Sequence, residues 1–371
     1  MRKVALGSVL VLLALLAPGS LYLLFWPVPI NPVAWEAPPI PAYTGPYASN
    51  HRLAAFERVS IGEFHGPEAM AVDGEGRLYA ATEEGWIVRL DPDGTHPTPW
   101  VDTGGRPLGM AFDSGGTMYV ADAVRGLVTV SPEGEVRVVA DEADGIPIRY
   151  ADDLDLADDG RVYLSDASTR FFPPRWDFLR ASRLEIMEHE GTGRLLEYDP
   201  STGRTTTLAS GLVFANGVAM SHDQASVLVN ETGSYRVLRV WRDGPRRGEV
   251  EPLIDSLPGF PDNITRGLDG RYWVAFFGPR VALLDQLSGR PFLRKVIQRL
   301  PEAMGPEPIH YGHVIAVDDS GRVVADLQDP AGGFRALTSA LEIPGWLYLG
   351  SLTEPTAARV RWNPGSAPGG L

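Results

Sequence analysis

One phrase recurs six times along this chain with variations. It reads GPEAMAVDGEGRLYAA from Gly66, PLGMAFDSGGTMYVAD from Pro107 and ADDLDLADDGRVYLSD from Ala151. It returns as ANGVAMSHDQASVLVNE from Ala215, PDNITRGLDGRYWVAFF from Pro261 and GHVIAVDDSGRVVADLQ from Gly312. Each copy is a short apolar strand, a turn rich in Asp and Gly, and a second apolar strand. A unit recurring at roughly 40 to 50 residues marks a propeller or a solenoid. Further strands lie between the copies, at residues 86–90, 127–131, 195–198 and 237–241. Each unit therefore has about four strands, which makes the expected fold all-β: a six-bladed β-propeller with four-stranded blades. Closing the ring requires the strand at residues 358–362 to share a blade with residues 56–62.

The ends of the chain read differently. Met1, Arg2 and Lys3 are basic, and residues 4–26 are almost wholly apolar. About 20 such residues suffice to cross a bilayer. Two readings compete, a cleaved signal peptide and an uncleaved transmembrane helix. The apolar run resuming after Pro18–Ser20 favours the latter for residues 1–26, a signal anchor with its N-terminus cytoplasmic and the propeller on the extracytoplasmic side. Residues 27–50 are rich in proline, which excludes a regular helix or central strand, and read as a stiff, extended linker. The propeller spans residues 51–362, and the Gly/Pro-rich tail at 363–371 reads as disordered.

Composition excludes several classes of function. The net charge is −14 with no basic cluster, which argues against a nucleic-acid partner. There is no cysteine, so disulfides, zinc–thiolate sites and cysteine nucleophiles are ruled out. Phrases of the zincin, serine-hydrolase and P-loop types do not occur.

The start of each repeat should fall at one place around the propeller axis. The residues there are Glu68, Leu108, Asp152, Asn216, Asp262 and His313, and Asp153 and Asn263 add polar density beside two of them. Singly, each Asp or Asn is an ordinary turn residue. Recurring in register, Glu68, Asp152, Asn216, Asp262 and Asn263 form a set of hard oxygen donors suited to Ca²⁺. Asp153, Asp262 and His313 are then candidates for activating or orienting water. Phe172, Phe214, Tyr235 and Phe277 neighbour the blade mouths and are candidate apolar walls. Residues 170–193 and 279–311 break the rhythm; they read either as helical packing over a blade or as a lid or lipid-touching surface.

The phrases GPEAMAVD, DLDLADDGRVYLSDAS, GRLLEYDPSTG, FANGVAMS, PGFPDNITRGLDGRYWV and GWLYLGSL carry a resemblance. They are similar to the adipocyte plasma membrane-associated and strictosidine synthase-like family, within the gluconolactonase, paraoxonase and diisopropyl-fluorophosphatase propellers. That resemblance implies calcium at the channel mouth, with Glu68, Asn216 and the Asp262–Asn263 pair in the family's ligand positions. Asp152 departs from it, because relatives usually carry asparagine there. Thr338 departs too, standing where a strictosidine synthase would carry its catalytic glutamate; threonine cannot act as a carboxylate base. The expected function is thus a membrane-anchored, Ca²⁺-dependent hydrolase of small-molecule esters or lactones. The alternatives are a non-catalytic Ca²⁺-stabilised binding module and, disfavoured by Thr338, an amine–aldehyde condensing enzyme.

Overall fold

The computed structural model describes residues 17–301, 304 and 309–363. Six four-stranded antiparallel sheets make six blades, plus a two-stranded hairpin at Glu142–Ala143 and Ile146–Pro147. The inner strands of blades one to three are Met70–Val72, Pro107–Phe112 and Ala151–Leu156. Those of blades four to six are Ala215–Met220, Gly259–Arg266 and Leu337–Ile343. Each inner strand packs on the next, and that of blade six packs back on that of blade one, so the ring is closed. Closure comes from the chain's two ends. Glu57–Ser60 adds as the outer strand of blade six, pairing Glu57 with Arg359 and Ser60 with Thr356. The ends of the ring are therefore joined by hydrogen bonds, without any disulfide.

Alternation along the strands explains the packing. Apolar residues from facing sheets fill the spaces between blades, as with Leu195, Leu208, Val218, Val227 and Val229 between blades three and four. The same interleaving recurs between the other blades.

The inner strands of blades two to six share one irregularity. Register shifts fall between Pro107 and Met110, Ala151 and Leu154, Ala215 and Val218, Pro261 and Ile264, and Leu337 and Ala340. Each bulge sets two residues where the ladder allows one, which re-aims a side chain. The paired residues are Leu108–Gly109, Asp152–Asp153, Asn216–Gly217, Asp262–Asn263 and Thr338–Ser339, with Glu68–Ala69 at the matching place in blade one.

That register corrects the sixth repeat. Gly312–Asp318 and Val323–Asp329 are the third and fourth strands of blade five, not the start of blade six. Residues 279–311 separate the two halves of that blade, so the phrase at Gly312 mimics an inner hairpin while sitting on the outside. His313 is accordingly displaced from the axis, and Thr338 takes its place in the ring.

The expected membrane anchor is also corrected. Among the described residues no helix is long and apolar enough to cross a membrane. Among the described residues the helical stretch there is 17–25. It ends against the propeller: Arg299 donates to the carbonyls of Leu23 (2.9 Å) and Trp26 (2.6 Å), neutralising the exposed C-terminal carbonyls. The single-pass topology, with the propeller on the extracytoplasmic side, falls with it. Residues 1–16 of the expected anchor, and 364–371 of the expected tail, lie outside the described residues.

The proline-rich stretch forms no helix or strand, apart from a 3₁₀ turn at Gly45–Tyr47. It lies along the propeller rather than standing off it. Trp35 N–H donates to Ser288, Arg280 donates to the carbonyls of Pro38 and Pro39, and Trp35 stacks on His189 at 3.8 Å.

The close inter-blade approach at the bulges is testable. A Cβ at Gly217 would lie 2.5 Å from Asn263 Cα, a backbone atom that cannot yield cheaply. Gly217→Ala is expected to cost about 1–3 kcal/mol by overpacking, read as a fall in Tm of several degrees.

Candidate metal centre at the channel mouth

The ring of bulge residues runs acid, apolar, acid, amide, acid, hydroxyl: Glu68, Leu108, Asp152, Asn216, Asp262 and Thr338. Glu68, Asp152 and Asp262 each bring a carboxylate oxygen to within 4.8 Å of the others. All three are buried, Asp262 being the most accessible at 9 %. The amides draw the set together. Asn216 Nδ2 donates to Asp262 Oδ1 (2.8 Å), and Asn263 Nδ2 donates to Glu68 Oε1 (3.0 Å).

Each amide spends its donor on a carboxylate and keeps its oxygen free. Glu68 Oε2, Asn216 Oδ1 and Asn263 Oδ1 are sealed from solvent and have no donor. Buried acceptors without partners are costly. Three converging carboxylates, one with an oxygen that has no donor, and two free amide oxygens suit a divalent hard cation in kind. The five residues assigned as ligands from the sequence are thus brought together.

Hydrogen bonds to backbone hold the cluster in place. Thr338 Oγ1 (2.5 Å) and Ser339 Oγ (2.8 Å) both donate to the Glu68 carbonyl. Thr232 Oγ1 donates to the Pro261 carbonyl and Asn230 Nδ2 to the Asp262 carbonyl, each at 2.6 Å. The loops feeding the inner strands are tied by acids that end the second strands. Asp122 accepts from Arg106 N–H, Asp166 from Arg149 and Tyr150 N–H, and Glu231 from Val213 N–H.

Two of the residues expected to activate water stand elsewhere. Asp153 follows Asp152 but turns sideways between blades, where its Oδ2 accepts from Val218 N–H at 2.8 Å. His313 pairs with Asp326 (Nε2 to Oδ2, 2.9 Å) among Tyr43, Phe276 and Tyr311. Asp262 alone of the three lies in the cluster.

A cap covers the mouth. Helix α1 (Phe178–Glu188), from the first insertion, starts on Asp177, whose carboxylate accepts from Arg180 N–H. Its Ala181 and Leu184 pack with Leu108, Tyr150, Phe171 and Phe214, and Val28 and Ile30 of the N-terminal stretch join them. Phe172 is at the edge of this cap, whereas Tyr235 belongs to the core beyond blade four, with Trp35 and Phe260. Phe277 is half-buried on the second strand of blade five.

The second insertion supplies α2 (Ala282–Gln286) and α3 (Pro291–Gln298). From α3, the fully buried Arg294 donates to Met187 (2.8 Å), to Ser288 (3.0 Å) and to Val33, clasping both insertions and the N-terminal stretch together.

Sequence reasoning missed Arg106 and Tyr150, which border the cluster. Arg106 is buried beside Glu68, and the Tyr150 hydroxyl donates to the Phe178 carbonyl of the cap at 3.3 Å. Both precede their inner strands by a residue or two, so the repeat register could have placed them.

The electrostatics follow from burial. Burial pushes the Glu68 carboxyl up to about 7, against the pull of Arg106 and of the Asn263 hydrogen bond. Asp152 is raised by burial and by the negative neighbours Glu68 and Asp262. Asp262 is raised by burial and by Glu68, against the Asn216 hydrogen bond. Without a cation the folded cluster holds protons that the unfolded chain would release.

A six-bladed propeller that gathers buried carboxylates and carboxamides at one mouth of its channel is the class that this fold and site define. Within that class the chain belongs to the family of adipocyte plasma membrane-associated and strictosidine synthase-like proteins. Residues 152–245 match the strictosidine synthase family, and residues 45–90 the N-terminal part of strictosidine synthase-like proteins. The zebrafish (Danio rerio) adipocyte plasma membrane-associated protein is 36 % identical over 88 % of this chain and 83 % of its own length. Strictosidine synthase-like 6 of Arabidopsis thaliana is 34 % identical over 83 % of this chain and 82 % of its own.

Solved structures share the fold. A gluconolactonase of Xanthomonas campestris superposes with a TM-score of 0.60 at 15 % identity, over 89 % of this chain and 99 % of its own. Regucalcin of Agrobacterium tumefaciens, a calcium-binding protein, gives 0.55 at 16 % identity, over 82 % and 93 %.

Two predictions follow from the geometry. For Glu68, the folded-state value of about 7 exceeds the ordinary 4.5, so its contribution to stability is full below pH 4.5 and lost as pH rises through 7. Metal-free protein should lose on the order of 3 kcal/mol across that window, and added Ca²⁺ should remove the slope, as followed by urea unfolding at several pH values. Arg294→Met should release three carbonyls at once, and limited proteolysis should then cut the N-terminal stretch and α1 sooner than in the parent protein.

Proposed function

We propose that this protein is a Ca²⁺-dependent hydrolase of esters or lactones that works at the capped mouth of the propeller. The observation that carries the reading is the buried trio Glu68, Asp152 and Asp262, within 4.8 Å of one another, beside the donorless amide oxygens of Asn216 and Asn263, with Glu68 Oε2 itself without a donor. Glu68, Asp152, Asp262 and the amide oxygens of Asn216 and Asn263 would hold the ion. Hard oxygen donors favour calcium over zinc or copper. A fold shared with a calcium-binding protein and a gluconolactonase supports the same reading.

When bound, the ion supplies Lewis-acid polarisation of an acyl oxygen. The chain's own residues do the rest. Asp262 is held at Oδ1 by Asn216 and is the most accessible acid of the three, so its second oxygen is the group that takes a proton from an attacking water. Leu108, Phe171, Leu184 and Phe214 keep bulk water from the reacting centre. Thr338 has committed its hydroxyl to the Glu68 carbonyl and offers no base, which weighs against a condensing enzyme.

The test is a double substitution, Asn216→Ala with Asp262→Ala. In the parent protein Ca²⁺ should raise Tm by several degrees, and chelation should abolish hydrolysis of a panel of aryl esters and lactones. In the double variant the Ca²⁺-dependent Tm rise should vanish and hydrolysis should fall by about 100-fold or more. Hydrolysis that survives in the variant would refute the mechanism. A Ca²⁺-dependent Tm rise without hydrolysis of any panel member would favour the non-catalytic binding module.

A further inference from the structure

Arg106 is the residue immediately before the inner strand of blade two. Its backbone is pinned by its own N–H on Asp122 Oδ1 (3.1 Å), so the side chain starts from a fixed point. That side chain is 3 % exposed and lies beside Glu68, whose carboxyl it pulls down. Phe178 of the cap covers it, with the ring centroid 5.8 Å from Cζ. Its Nη1 is sealed from solvent and has no acceptor.

A guanidinium carries five donors in a fixed fork, and leaving one buried and unpaired is costly. If charge balance alone were needed, this side chain could bond to Glu68; instead Glu68 Oε1 takes its hydrogen bond from Asn263 and Oε2 takes none. The free N–H is therefore available to an oxygen brought into the mouth from outside.

The surroundings limit what that oxygen can belong to. Four buried carboxylates, Asp153 among them, face at most the three positive charges of one divalent ion and the Arg106 guanidinium. A substrate bearing a further carboxylate would bring an uncompensated charge into a buried site. The apolar cluster over the mouth, Leu108, Tyr150, Phe171, Leu184 and Phe214, gives a polyhydroxylated ring little to bond.

We infer that Arg106 is a catalytic residue that donates its free N–H to the acyl oxygen of a neutral, apolar ester or lactone. The inference rests on the hydrolase reading above and names its substrate class. Water adds to the acyl carbon, the acyl–oxygen bond breaks with its electron pair going to the leaving oxygen, and the proton accepted by Asp262 passes to that oxygen. Arg106 keeps its own protons and stabilises the charge that builds on the acyl oxygen.

The experiment compares the parent protein, Arg106→Met and Arg106→Lys, all loaded with Ca²⁺. Dihydrocoumarin serves as the neutral apolar lactone, gluconolactone as the polyhydroxylated one, and the lactam analogue of dihydrocoumarin as a ligand that is not turned over. Calorimetry should show the lactam bound about 10-fold more weakly by Arg106→Met, with Ca²⁺ bound at least as tightly as before. Dihydrocoumarin kcat/KM should fall by about 100-fold in Arg106→Met and recover in part in Arg106→Lys. Gluconolactone should be the poorer substrate throughout.

Should Arg106→Met fail to fold, Arg106→Leu, which likewise removes every side-chain N–H, takes its place in both measurements. Equal lactam binding by parent and variant, or none by the parent, overturns the inference. Arg106-dependent lactam binding without turnover upholds the contact and sinks the hydrolase reading. Turnover indifferent to Arg106 does the reverse.

Discussion

Everything at the channel mouth depends on how closely the inner strands approach one another at their bulges. A Cβ on Gly109 would lie 2.6 Å from Asp153 Cα, and one on Gly350 would lie 2.5 Å from the Glu68 carbonyl oxygen. At such separations neighbouring blades share backbone contacts and cannot slide independently. Asp153 accepts from Val218 N–H in the next blade, and Asp155 accepts from Met220 N–H in the same way. The side chain that each bulge re-aims is therefore located by two sheets at once. That is how Glu68 and Asp262, 194 positions apart in the chain, come to share a donor set.

Such precision is needed because the set is electrostatically unfavourable by itself. Three carboxylates under an apolar cap raise one another's affinity for protons, and desolvation adds to the effect. The chain offsets the strain in part. Asn216 and Asn263 each donate a hydrogen bond to a carboxylate, and Arg106 contributes a positive charge that needs no metal. What remains is an excess of acceptors over donors, written in the three oxygens without partners. A cation with oxygen preference answers that excess without changing the backbone.

Much of this architecture could be read from the sequence, because the repeat is a backbone signal. The Asp-Gly turns and alternating apolar residues mark strands directly, and five of the six phrases begin at an inner strand. Glu68, Asp152, Asn216, Asp262 and Asn263 followed from that register alone. The sixth phrase misled for a physical reason: an antiparallel hairpin on the outside of a blade has the same alternation and turn chemistry as one on the inside. Only the partner strands tell them apart, and those are set by the 279–311 insertion. Reading His313 as a mouth residue inherited that ambiguity, whereas Thr338, at the true inner strand, was picked out only by the resemblance of the last blade and not by the repeat register. The apolar run at the N-terminus misled differently. Hydropathy counts side chains, while the end of this segment depends on Arg299 meeting its carbonyls, a contact from 273 residues away.

The cap buries this site by two different means. Its apolar part, made of Leu184, Phe171 and Ile30 around Leu108 and Phe214, excludes water from the acids. Its fastening is polar and concentrated: Arg294, with no exposed surface, joins α1, the turn at Ser288 and the N-terminal stretch through carbonyl oxygens. An apolar seal alone would be non-directional and could settle in several positions. A guanidinium fork bonded to three carbonyls has one good arrangement, so it sets where the cap rests. The same residue type serves at the site itself, where Arg106 sits under the cap with a donor to spare. Arg294 spends both terminal nitrogens on carbonyls that the protein supplies and leaves only Nε without a partner, whereas Arg106 leaves Nη1, a terminal nitrogen of its fork, unpaired.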